Sequence, residues 1–154
     1  MEPVLELLMA LKTAQREVER RFNHLLRPLG VTAVQAEALL IIADEQPVSI
    51  ADLGARMAAD PGHPSRLADR LAAAGWIDRR PSPRDGRRTD LTLTPDGRDL
   101  VERIVAARRP YLERAAAALA ETGLDGVLPD LWRLLDLVRA LPEPDDRPGA
   151  PGPE

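Results

Sequence analysis

The chain has 154 residues, 44% of them apolar, enough for one compact domain with a real core. It has no cysteine, which excludes disulfides, thiolate metal sites and thiol redox sensing. A formal charge of −4 argues at first against a nucleic-acid partner, unless positive charge is gathered in one place.

The N-terminus has neither the basic stretch nor the short apolar core of a secretory leader. No apolar run reaches the ~20 residues of a membrane span. A cytoplasmic protein without a membrane partner is expected. Residues 4–29 place Val4, Leu8, Leu11, Val18, Phe22, Leu25 and Leu29 at alternating spacings of four and three, interrupted only at Gln15. That is a helix with a near-3.5 stripe, suited to packing in its own core or on a second subunit. Pro28 and Gly30 should end it. Thr32 followed by Gln35 predicts a reciprocal capping box, opening a helix whose face carries Ala36, Leu39, Leu40 and Ala43. Ser49 with Asp52 predicts a second box, ahead of a short helix buried through Ile50, Leu53 and Met57. Residues 58–63 read as a turn. A third helix from Pro64 to Ala74 turns Leu67, Leu71 and Ala74 inward, and Gly75 is placed to close it in the left-handed conformation.

Beyond Trp76 the period changes. Leu91-Thr92-Leu93-Thr94 alternates as a strand does, and two short strands bracketing Pro81–Asp90 predict a hairpin with arginines at its tip. Thr94-Pro95 restarts helix, with proline at the first helical position. Its apolar face is Leu100, Ile104, Tyr111, Ala115 and Ala118, and Pro110 should kink it. Gly123 ends it. A last helix from Asp125 to Leu141 presents Leu128, Leu131, Leu135 and Val138. Residues 142–154 hold five prolines, no large apolar residue and a net charge of −3, so a disordered acidic tail is expected there. The other 141 residues then sum to only −1, and residues 79–88 alone carry Arg79, Arg80, Arg84, Arg87 and Arg88 against Asp85. Positive charge is local after all.

The expected fold is mainly α with a small β-hairpin wing. In order, the elements are a long helix, a helix, a helix-turn-helix, a wing and two more helices. Asp60-Pro61, Ser65-Arg66-Leu67, Asp69-Arg70-Leu71, Gly75-Trp76-Ile77 and Arg79-Arg80 lead into Asp85-Gly86-Arg87 and Leu91-Thr92-Leu93-Thr94-Pro95-Asp96-Gly97. This resembles the winged helix-turn-helix of the MarR family. The Asp-x-Arg, Leu-x-Leu-Thr-x-x-Gly wing is the most specific part, and the likeness covers about residues 4–141.

The resemblance implies a single domain over 1–141, with a DNA-binding module at 32–94 and dimerisation helices at 4–29 and 98–141. The implied function is sequence-specific double-stranded DNA binding by a homodimeric transcriptional regulator, a repressor released by a small-molecule effector. Its third helix would enter the major groove, presenting His63, Ser65, Arg66 and Arg70. Arg87 would enter the minor groove, oriented by Asp85, with Arg84 and Arg88 near phosphates. Pro64 departs from the family pattern, which usually has an apolar residue there. It fits if the recognition helix begins at that residue, which shortens the reading face.

Blander readings stand beside these. A winged helix also serves as a protein-interaction module without specific DNA binding. Ser65 is then a cap, Asp85 with Arg87 a turn-stabilising pair, and the arginines a solvated loop. Five arginines at one wing and the complete wing pattern favour DNA. Enzyme chemistry lacks a Gly-rich phosphate loop and a thiol, and His24 and His63 lie far apart. No cofactor and no metal are expected. His24 either lines a ligand pocket or is an ordinary surface residue, and Tyr111 and Trp132 read as packing residues.

Overall fold

The computed structural model describes residues 2–58, 62–83 and 85–141. The turn residues Asp60 and Pro61, the wing residue Arg84 and the tail 142–154 lie outside them. The chain divides into two compact units, Met1–Tyr111 and Leu112–Glu154.

The first unit opens with α1 (Pro3–Leu26), continued by a 3₁₀ turn at Arg27–Leu29 and closed by Gly30 at φ 74. The helix stops short of Leu29 because Pro28 cannot continue the ladder. Thr32 and Gln35 make the reciprocal box that opens α2 (Ala33–Glu45), and Asn23 from α1 accepts a bond from Ala33 N at 2.7 Å. The buried face of α2 is Ala36, Ala38, Leu39 and Ile42, a step round from the expected one. Leu40 and Ala43 are only half-buried, because they face a cavity.

Three short elements build the middle of the unit. Strand β1 (Val48–Ser49) leads directly into α3 (Ile50–Arg56), and α4 follows at Pro64–Ala73. On α4 the inward residues are Leu67, Ala68 and Leu71. Ala74 is exposed, contrary to expectation, because the chain has already left the helix. Gly75 at φ 77 closes α4 with a paired cap, its N–H donating to Ala72 O at 2.9 Å and Trp76 N to Leu71 O at 3.1 Å.

The wing is longer than expected and belongs to a three-stranded antiparallel sheet of order β1-β3-β2. Strands β2 (Ile77–Pro81) and β3 (Thr89–Leu93) pair from Ile77↔Leu93 to Pro81↔Thr89. Arg79 and Arg80 therefore sit in β2 rather than at the tip. The added strand pairs Val48↔Leu91 and Ser49↔Asp90. It ties the wing base to the start of α3, a link too short to announce itself in sequence. Leu39, Ile42, Leu53, Leu67, Leu71, Leu91 and Ile104 are fully buried in the single core these elements share.

Helix α5 runs from Pro95 to Thr122, unbroken through Pro110. Leu100 and Ile104 are buried on it, Tyr111 and Ala115 are half-buried, and Ala118 is exposed. The second unit holds the end of α5, a 3₁₀ turn at Leu124–Val127 and α6 (Leu128–Ala140). No residue of α6 is buried; Leu137 is 60% exposed and Trp132 56%. Among the described residues no single helix is long and apolar enough to cross a membrane.

Candidate nucleic-acid interface

Helix α4 has one buried face, so the opposite one is free to meet a partner. Ser65, Arg66, Asp69 and Arg70 all lie on it, exposed. His63 is the exposed N-cap residue, its side chain making no cap bond, and Pro64 is the first helical position. Proline is tolerated there because that N–H has no partner inside the helix in any case. Its ring has a specific neighbour: a Cβ placed on Gly54 of α3 would lie 2.7 Å from Pro64 Cγ. The start of α4 can lie this close to α3 because Gly54 has no side chain.

The wing signature also has visible causes. Asp85 Oδ1 accepts from the backbone N–H of Arg87 at 3.0 Å, and Arg88 N donates to Asp85 O at 2.9 Å. Asp85 thus orders the tip through backbone, not through the Arg87 guanidinium. At the wing base, Thr94 Oγ1 donates to Gly75 O at 2.7 Å and accepts from Gly97 N at 3.0 Å, capping α5. Gly97 is required for another reason: any Cβ there would collide with the Trp76 carbonyl. The Leu-x-Leu-Thr-x-x-Gly run is the joint between the end of α4, the wing and α5.

Not every arginine is available. Arg79, one of the five at residues 79–88, forms an ion pair with Asp69 of α4. That pair neutralises the one acid on the outward face and braces helix against strand. Arg88 bonds Ser49 and Asp52, at 2.7 and 2.5 Å. Its charge helps hold the Asp52 carboxyl below the usual range, though the Ser49 hydroxyl is the larger cause. Arg80 is 3.8 Å from Asp78, with both side chains largely exposed. Arg66, Arg70 and Arg87 meet no acidic partner among the described residues. The structure therefore leaves cations on two surfaces, the outer face of α4 and the wing tip. Both long-range pairs were invisible in sequence, since they join residues from elements that only folding brings together.

A cavity of about 1120 Å³ opens between α1, α2 and α5. Leu11, Val18, Phe22, Leu40, Ile41 and Ile104 form much of its wall, with Glu19, Asp44, Arg56 and Arg108 among its polar residues. Phe22 meets Tyr111 edge to face at 5.4 Å, which bears out the packing role of Tyr111. His24 does not line the cavity. No cluster of His, Cys, Asp or Glu suited to a metal ion occurs among the described residues.

Three helices packed as α2–α3–α4, with a paired hairpin after the last and a third strand before α3, define a winged helix-turn-helix protein. The MarR family model matches residues 31–89. An HTH-type transcriptional regulator of Mycobacterium tuberculosis is 30% identical over 105 residues, covering 68% of this chain and 72% of that protein. The multiple antibiotic resistance protein MarR of Salmonella typhimurium is 37% identical over 84 residues, which is 54% of this chain and 58% of its own length. The match therefore spans little more than half of that relative. In solved structures, a mutant MarR from E. coli complexed with operator DNA is 27% identical with a TM-score of 0.72, covering 90% of this chain and 96% of its own. The transcriptional repressor CouR, bound to a 23-mer DNA duplex, is 26% identical with a TM-score of 0.74, at coverages of 88% and 96%. This chain belongs to the MarR family.

Proposed function

We propose that the chain is a transcriptional regulator that binds double-stranded DNA sequence-specifically as a homodimer, represses, and is released by a small-molecule effector. The observation that carries this reading is the pair of cationic surfaces that have no acidic partner among the described residues. Arg66 and Arg70 stand on the outer face of α4, and Arg87 stands at the tip of the wing. A helix of that kind fits the major groove, where a guanidinium binds guanine O6 and N7 in a bidentate way. Ser65 and His63 lie at its start, where hydroxyl, ring nitrogen and backbone N–H reach phosphate or base edges. Arg87 suits a narrow minor groove beside it, where negative potential is concentrated. Arg84 adds charge to the same wing. Relatives complexed with operator DNA and with a 23-mer duplex support the assignment.

Dimerisation is supported by apolar surface that each unit leaves uncovered. Val4, Leu8 and Val18 on α1 are exposed, as are Leu128, Leu131, Leu137 and Val138 on α6. Effector release is supported by the cavity, which is bounded by α1, α2, α5 and the end of α3 and is large enough for a drug-sized molecule. A ligand there acts only through different affinities for two spacings of the recognition helices.

Selection from random duplexes at physiological salt tests the reading. A two-fold dimer should recover an inverted repeat with half-site centres ~10 bp apart and A·T preference on the flanks. Specific affinity should exceed non-specific by roughly 10³-fold. Recovery of no inverted repeat would instead make this a protein-interaction module.

A further inference from the structure

Arg88 follows the wing-tip arginine directly, yet its side chain turns away from the tip. Its Nη2 donates to Ser49 Oγ at 2.7 Å and to Asp52 Oδ2 at 2.5 Å, and Ser49 Oγ donates to the same carboxylate oxygen at 2.7 Å. Ser49 Oγ also accepts from Asp52 N at 3.1 Å. A hydroxyl has one donor and two acceptor sites, and Ser49, buried in β1, uses all three. The backbone of Arg88 is tied as well. Its N–H donates to Asp85 O at 2.9 Å and its carbonyl accepts from Ser82 N at 2.9 Å, across the neck of the hairpin. One residue thus joins the wing tip, the wing neck and the start of the helix-turn-helix.

Resting on the DNA-binding reading, we propose that Arg88, held by Asp52 and Ser49, is a positioning residue that pins the wing to α3 and sets where Arg87 reaches. It is not a phosphate ligand. Were Arg88 to leave for a phosphate, the Asp52 carboxylate would lose this cation beside a second anion. The Arg88 and Asp52 side chains are 48% and 56% exposed, so solvent screens the pair and it contributes little to global stability. Its effect is on geometry: the recognition helix and Arg87 must enter neighbouring grooves together, and a wing free to swing loses that register.

The test compares Arg88→Ala, Asp52→Asn and the double variant on the duplex recovered by selection and on a random duplex, each across a salt series. Exchange of the Ser82 and Arg88 amides is followed in the unbound protein. The pin predicts that each single variant weakens the selected duplex about five- to tenfold, a fraction of one base contact. The double variant should be no worse than either single one, and the salt slope should stay at the wild-type value. The two amides should exchange faster in Asp52→Asn, with thermal stability nearly unchanged. A fall of about one in the salt slope for Arg88→Ala alone, with Asp52→Asn silent, would make Arg88 a phosphate contact and overturn the proposal. Losses that multiply in the double variant overturn it too. If the wild type selects no duplex, the DNA reading fails, and amide exchange decides the pin by itself: unchanged protection refutes it.

Discussion

Arg66, Arg70 and Arg87 carry the same charge but stand on different supports, and on the proposed reading they meet DNA differently. Arg87 stands on a hairpin tip shaped by Asp85, whereas Arg66 and Arg70 stand on a helix face whose rotation is set by buried Leu67 and Leu71. Arg87→Ala should therefore weaken selected and random duplexes alike and lower the salt slope by about one. Arg66→Ala or Arg70→Ala should cost about 1–3 kcal/mol at particular base pairs, read by titrating duplexes with single substitutions. Equal losses on all duplexes from all three changes would refute this division. A different residue-level limit operates at Gly97. A methyl there meets the backbone carbonyl of Trp76, which cannot rotate away as a side chain could. Gly97→Ala should destabilise by at least ~2 kcal/mol, seen as a lower urea midpoint; an unchanged midpoint would mean the joint yields.

At the scale of elements, the helix-turn-helix is set by how closely α3 and α4 approach. Glycine inside a helix ordinarily costs about 1 kcal/mol relative to alanine, so Gly54→Ala would be expected to stabilise α3. Pro64 reverses that expectation, because its ring occupies the space the new methyl needs. The substitution should gain nothing in the wild-type background and should recover part of that ~1 kcal/mol beside Pro64→Ala, whose own Cβ stays 3.3 Å from the new methyl. Urea unfolding of the two single variants and the double one measures the coupling. Simple additivity would show that the ring is not what Gly54 accommodates. The departure at Pro64 is thus a matched pair: α4 begins at proline, and α3 makes room for it.

At the scale of the whole molecule, the two units share a deficit. Neither covers its own apolar surface: Val4 is 66% exposed, Leu137 60% and Leu141 61%. Patches of this kind in a monomer mark association surfaces. Light scattering at micromolar concentration should give a dimer rather than the 16.9 kDa monomer. Replacing Leu8 and Leu137 by Lys should shift the equilibrium to monomer and reduce specific DNA affinity together. A stable wild-type monomer that still binds an inverted repeat would separate dimerisation from recognition.

Most of the local structure was legible in the chain because its causes are local. The Thr32–Gln35 box, Gly75 closing α4, proline opening α4 and α5, and the alternation of Leu91 and Leu93 each depend on neighbours within a few residues, and each stands where expected. So does the polar outer face of α4, which follows from a 3.6-residue period. Ser49 caps α3 through Asp52 N as expected, but the reciprocal half of the box is replaced: the Asp52 carboxylate bonds the Ser49 hydroxyl and Arg88. The strand at Val48–Ser49, the Arg79–Asp69 pair, the Arg88 pin and the clearance between Gly54 and Pro64 had no such signal. Their partners come from different elements, and only the packing of those elements sets the distances. Composition could count five arginines near the wing, but tertiary structure decided which of the described ones are held in ion pairs, because ion pairing depends on proximity in space and not along the chain.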